Sequence, residues 1–202
     1  MAENLGSAIT STGMRGYRRP ARRVDATTAL TLGAEHVRGS ANGELHVRFL
    51  FAPVGRDAQL MTELWRLTKP GGVIAVQEPD SAAWRCYPPS EAWDRLKAAI
   101  LEAFRRGGGD FDVGRRTFLM LRDQGADDVR MRAAVVALAP GHPYLRLPVQ
   151  FATSLRNRIL DGGIMTSSEL DSAIGECEKV AADPRTTGVT FVVAQVWGRK
   201  PL

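Results

Sequence analysis

Seven side chains of this chain combine a chemically useful type with a conspicuous position: His46, Arg48, Glu78, Asp80, Trp84, His142 and Tyr144. His46, Glu78 and His142 are the groups able to take up a proton as general bases. Arg48 is a fixed cation, able to pair with an anion or with Glu78 or Asp80. Asp80, Trp84 and Tyr144 are polar or aromatic groups suited to holding a small molecule, and Tyr87, Trp93 and Phe104 could extend an aromatic pocket. Each has a plainer reading beside the chemical one. His46 is also what a hydrogen-bonded core histidine looks like, and Glu78 and Asp80 suit caps or turns. His142 stands between Gly141 and Pro143 in a turn-like context, and the aromatic residues suit a core. No metal site is expected, because Cys86 and Cys177 lie 91 residues apart with no Cys or His at ligand spacing near either.

The elements that must position these groups follow from hydrophobic periodicity. Residues 45–51 form a short, mostly apolar run suited to a strand buried on both faces, which is why His46 and Arg48 stand out within it. Asp57 is a candidate helix N-cap, and Leu60, Met61, Leu64 and Trp65 recur at helical spacing before Lys69-Pro70 ends the element. Gly71-Gly72 turns the chain into a strand at 73–76, which Gln77-Glu78-Pro79-Asp80 leaves. Polar groups just past a strand's carboxyl end are where open α/β sheets place their ligands. Ser90 caps a helix carrying Trp93, Leu96, Ile100, Leu101 and Phe104, and a shorter helix is expected over 114–124. Residues 129–138, with Arg130 and Arg132 outward, and 189–197 are expected as an antiparallel hairpin. The long connection at 139–188 holds two helices, 147–160 and 167–182. The second has a Thr166/Glu169 capping box and a stripe of Leu170, Ile174, Cys177 and Ala181. A connection of that length is functional or packed as a lid.

From residue 44 onward, the order of elements and several local phrases resemble a class I S-adenosylmethionine (SAM) dependent methyltransferase. The phrases are His46-Val47-Arg48-Phe49, Glu63-Leu64-Trp65-Arg66-Leu67 before Lys69-Pro70-Gly71-Gly72, and Val73-Ile74-Ala75-Val76 followed by Glu78-Pro79-Asp80. The resemblance implies an α/β fold, an incomplete Rossmann-like methyltransferase sheet with a terminal antiparallel hairpin and a helical insertion. It also implies strand order 3-2-1-4-5-7-6, in which residues 45–51 are the fourth strand and 73–76 the fifth. Its chemistry would be an in-line displacement of a methyl group from SAM onto a small organic acceptor, with alignment and water exclusion as the protein's main task. His46, Glu78 and His142 would then be catalytic, Arg48 would contact the cofactor, and Asp80, Trp84 and Tyr144 would contact the acceptor.

The chain departs from that family in its first 43 residues, where no glycine-rich turn precedes residue 44. Gly33 is a lone glycine. The run from Gly109 to Gly114, followed by Arg115-Arg116, lacks the lysine and hydroxyl of a phosphate loop. Three βα units need roughly 90 residues at ~30 each, and only 43 are present before the fourth strand. One domain is therefore expected, the methyltransferase-like α/β domain of residues 44–202 with its helical insertion at about 139–188, preceded by an Arg/Gly/Thr-rich, divergent and partly disordered segment, residues 1–43. The alternative to a truncated methyltransferase is a catalytically inactive remnant or interaction protein that does not bind SAM. Loss of the first strands would expose an edge of the fourth, inviting a homodimer through that edge.

Composition limits the remaining classes. With 202 residues and 44% apolar content, one sizeable core is expected. The net charge of +5 owes much to arginine, with Arg15, Arg18, Arg19, Arg22 and Arg23 clustered near the start. Aromatic residues do not interleave with that cluster beyond Tyr17, so no nucleic-acid partner is expected. No apolar run reaches the ~18 residues of a membrane span, so no membrane partner is expected and a cytoplasmic location is the default.

Overall fold

The computed structural model describes residues 37–39 and 43–202. The early Arg cluster and Gly33 lie outside the described residues. In chain order the strands are β1 (Val37–Gly39), β2 (Leu45–Arg48), β3 (Val73–Asp80), β4 (Arg85–Tyr87), β5 (Asp127–Ala134), β6 (Ala137–Leu138), β7 (Thr187–Val189) and β8 (Val192–Arg199). The α-helices are α1 (Phe51–Val54), α2 (Asp57–Leu67), α3 (Glu91–Arg106), α4 (Thr117–Asp123), α5 (Leu147–Ser154), α6 (Arg156–Asp161) and α7 (Ser167–Ala182). Short 3₁₀ turns occupy Ser81–Ala83, Val113–Arg116 and Pro143–Arg146.

The main sheet runs β1-β2-β3-β8-β5. β2 and β3 are parallel, whereas β8 is antiparallel to both β3 and β5. The order β2-β3-β8-β5, with the last strand in sequence inserted between its neighbours, matches the 4-5-7-6 half of the expected order. The edge of β2 that was expected to be open is occupied by β1, which pairs with it antiparallel from Val37↔Val47 to Gly39↔Leu45.

Strand pairing accounts for several boundary differences. β3 continues through Asp80 because β8 pairs with it along its whole length, so the polar residues read as an exit belong to the strand. β2 stops at Arg48, and Phe51 opens α1 instead of ending the strand. The N-cap of α2 is Arg56, in left-handed backbone at φ 56°. Asp57 makes no capping bond and reaches Arg116 instead. The turn before β3 needs Gly71, at φ +74°.

Two differences concern the later strands. β5 and β6 enter different sheets, as do β7 and β8, and the pieces β4, β7 and β6 form a second, three-stranded sheet. Along β5 the expected facing holds at Val129, which packs on the core, and at exposed Arg130, and is reversed from Met131 on. Met131 is 46% exposed, while Arg132 is half-buried and donates to Gln195 on β8.

The insertion is a layer of the core. α7 has the expected capping box and buries Leu170, Ala173, Cys177 and Ala181, packing with α5 against α3. The single helix expected over 147–160 is broken at Leu155 into α5 and α6. Between these helices and the main sheet, Trp84, Phe104, Phe111, Phe151 and Phe191 pack ring against ring. Burial of such rings contributes roughly 2–3 kcal/mol each before conformational costs.

Candidate functional site

Pairing parity separates the residues that the sequence grouped together. His46 lies opposite Ala75 and Arg48 opposite Gln77 in the parallel β2–β3 ladder, so His46 and Arg48 share one face. Leu45 and Val47 share the other with Ile74 and Val76, and alternation puts Glu78 on that apolar side. His46 and Glu78 therefore project from opposite faces of the sheet. The Arg48 guanidinium lies 5.0 Å from the centre of the Phe49 ring, a cation–π contact.

Glu78 is completely buried. One of its oxygens accepts the Leu50 and Phe51 amides at 2.7 and 3.0 Å, and the other accepts the Ala52 amide at 3.1 Å. These are the backbone donors where β2 ends, which would otherwise be orphaned at the start of α1. Burial drives the carboxyl upward, the three amides oppose that, and the nearby Asp57 charge adds to it. The result is a pKa of about 7.

Past β3, the sequence-predicted Asp80 joins residues that the sequence reading had not grouped with it. Arg115 donates to both Asp80 oxygens, at 2.6 and 2.8 Å, and approaches Asp112 at 3.3 Å. Asp80 also accepts the Ala82 amide at 2.9 Å, and Asp112 accepts the Ser81 amide at 2.6 Å. Lys97 of α3 donates to the Ser81 and Trp84 carbonyls, at 3.0 and 2.9 Å. Burial raises the Asp80 carboxyl, but the Arg115 hydrogen bonds, with the Ala82 amide and the charges of Arg115 and Lys97, hold it below its ordinary value. One turn away, Arg116 bridges Asp57 and Asp110 at 2.5 and 2.7 Å.

Gly114 makes this cluster sterically feasible. A Cβ there would stand 2.7 Å from the backbone oxygens of both Glu78 and Pro79. Only a residue without a side chain lets the Val113–Arg116 turn lie directly across the end of β3 and deliver Arg115 to Asp80. The glycine and the two arginines are visible in the sequence; nothing periodic marks what they pack against.

The remaining candidates have other surroundings. Trp84 is fully buried and stacks on Phe111 with ring centres 5.6 Å apart. His142 accepts the Tyr144 amide on Nδ1 at 3.1 Å, and the two rings meet edge-on at 5.1 Å, at the N-terminus of the 3₁₀ turn that opens the insertion. Trp93 is fully buried and Phe104 nearly so, whereas Tyr87 is 69% exposed. Among the described residues no group of three or more Cys, His, Asp or Glu is placed to hold a metal ion, and no helix is long and apolar enough to cross a membrane.

The described residues do not by themselves fit SAM. The amides at the end of β2 already serve Glu78. The position beside β2, where the resemblance implies a parallel first strand, is taken by β1, which runs antiparallel.

No protein-family model and no curated protein matches the chain. Among solved structures it is similar in trace to Haemonchus contortus phosphoethanolamine N-methyltransferase 2, once with phosphomonomethylethanolamine and S-adenosylhomocysteine and once with S-adenosyl-L-methionine. Identity is 12% in both cases, with TM-scores of 0.39 and 0.38 and 79% of this chain covered. A Bacillus halodurans C-125 protein named as a methyltransferase is 14% identical, with a TM-score of 0.43 and the same coverage. The chain spans 34%, 33% and 64% of those three chains respectively. At these values the likeness is one of chain trace, and no part of the functional reading rests on it.

Proposed function

We propose that the described residues form the acceptor-binding part of a SAM-dependent methyltransferase fold acting on a small organic molecule. The observation that carries this reading is the strand order β2-β3-β8-β5 with β8 reversed, the arrangement implied by the phrases around Arg48, the Lys-Pro-Gly-Gly turn and Glu78-Pro79-Asp80. A reversed final strand threaded between two earlier ones is a specific topology, unlike a glycine turn, which many α/β proteins share.

In this reading the exit of β3 is where an acceptor is held. Asp80, Asp112, Arg115 and Lys97 hold the Ser81–Ala83 turn rigidly, as a site that orients a ligand requires. Glu78 shapes the turn after β2, leaving His46 and His142 as the proposed proton acceptors. Contacts to SAM would have to come from outside the described residues.

A second reading is favoured by the engagement of the Leu50–Ala52 amides: a methyltransferase-derived chain that does not bind SAM. Ultraviolet cross-linking of the full 202-residue chain with methyl-labelled SAM separates the two. The first reading expects label that excess S-adenosylhomocysteine displaces; label that is absent, or that competitor leaves in place, selects the second.

A further inference from the structure

Beside the β3 exit lies a half-open cavity of about 310 Å³, lined by Trp84, Arg85, Cys86, Ser90, Asp94 and Lys97, among others. From its geometry we propose that this cavity binds the oxyanion group, phosphate or carboxylate, of a small molecule, between the Arg85 guanidinium and the Lys97 ammonium. Calling that molecule the acceptor rests on the function proposed above; the anion site itself does not.

Among the described residues, two cations at this cavity have no carboxylate within ion-pair reach. Most arginines of the described surface have a carboxylate within ion-pair reach, as Arg95, Arg105, Arg106, Arg146, Arg156 and Arg185 do. Arg85 and Lys97 do not. Arg85 donates one bond, to the Ala82 carbonyl, and Lys97 donates two, to Ser81 and Trp84. An ammonium has three donors and a guanidinium five, so both retain donors for a ligand. Their mutual repulsion is felt: burial lowers the Lys97 pKa, and the Arg85 charge lowers it further, against the opposing pull of Asp94, Asp112 and Asp80.

The other walls suit a compact polar ligand. Trp84 is fully buried and its indole N–H has no acceptor. Cys86 is neutral, because burial and the Asp94 charge push its thiol upward. Asp94 is the one acidic lining residue, on the same helix three positions before Lys97, and it opposes anion binding. That opposition supplies a test, since removing it strengthens an anion site and has no reason to help a merely structural cluster.

The experiment is an amide NMR titration of the full chain with inorganic phosphate and, separately, with acetate, at ionic strength held constant with chloride. The expected result is saturable shifts centred on Arg85, Cys86 and Lys97. The tighter of the two probes identifies phosphate or carboxylate as the group. Asp94→Asn is expected to tighten binding several-fold, and Arg85→Gln to weaken it about tenfold. Arg85 is exposed and makes a single bond, so its variant keeps the fold, and unchanged shifts elsewhere in the spectrum check this. Failure of both anions to saturate, or saturation that both variants leave within about twofold of wild type, overturns the proposal. Anion binding by a chain that does not bind SAM would keep the site and remove its role as an acceptor site.

Discussion

Arg115 grips Asp80 through two hydrogen bonds of 2.6 and 2.8 Å across 35 residues of sequence, and this contact fixes the last residue of β3 to the turn before α4. The carboxylate side of the pair is nearly enclosed, at 11% exposure, while the guanidinium is half in solvent, at 52%. Solvent screening on the arginine side reduces the value of the charge pair. The geometry of the turn depends more on Asp80, which also holds the Ala82 amide.

That asymmetry gives the first prediction. Asp80→Ala is expected to cost about 1–3 kcal/mol of unfolding free energy, and Arg115→Met about 1 kcal/mol or less. Urea unfolding of the two variants checks this, and an equal cost for both would contradict the asymmetry. The Asp80 pKa is depressed in the folded state, so its contribution is present above the ordinary value of 3.8 and is lost as pH falls through the depressed one.

Glu78 has the opposite sign. Its folded-state pKa is raised from 4.5 to about 7, so the folded chain holds a proton that the unfolded chain has released between those values. Stability from this group is full below pH 4.5 and falls as pH rises to about 7, by on the order of 3 kcal/mol. Thermal unfolding of wild type and Glu78→Gln across that window is expected to show the slope in the first and its loss in the second. Glu78→Ala, which orphans the Leu50, Phe51 and Ala52 amides, is expected to cost about 2–4 kcal/mol at pH 5.

Gly114→Ala places a methyl group 2.7 Å from two backbone oxygens that belong to a paired strand and cannot swing aside. A loss of about 2 kcal/mol or more is expected. Exchange broadening of the Arg115 side-chain resonances should accompany it, as the turn lifts off β3. A neutral substitution with an intact Arg115–Asp80 contact would contradict the steric account of the site.

The insertion offers a contrasting case. Thr166 accepts the Glu169 amide at 3.2 Å while Glu169 accepts the Thr166 amide at 2.7 Å. Thr166→Ala is expected to cost about 1 kcal/mol without shifting the resonances of Asp80 or Arg115. Coupling between those positions would show that the insertion acts on the β3 exit.

How much of this was legible in the sequence depends on the range of the contact. The helical stripe of α3, the Ser90 cap and the Thr166–Glu169 capping box follow from spacings of three and four residues, and all are present. Alternation along β5 predicts both Arg130 and Arg132 outward, and the structure departs from it at Arg132. Among the described residues β5 pairs with β8 alone, has a register shift between Asp127 and Arg130, and turns Arg132 toward Gln195 and Trp197. Glu78 and Asp80 were identified as notable residues, but their partners were not. The Leu50 amide and Arg115 lie 28 and 35 residues away, and the strand pairing and the glycine contact that bring them in leave no periodic trace. Lys97 is hidden for a related reason, since its role is to donate to carbonyls, which every residue possesses.

The most direct measurement is a calorimetric titration of the purified, folded full-length chain with S-adenosylhomocysteine, repeated with SAM. Saturable heat at micromolar ligand is the expected result. No heat up to millimolar ligand would contradict the methyltransferase reading and leave a chain with that fold's strand order and without its cofactor.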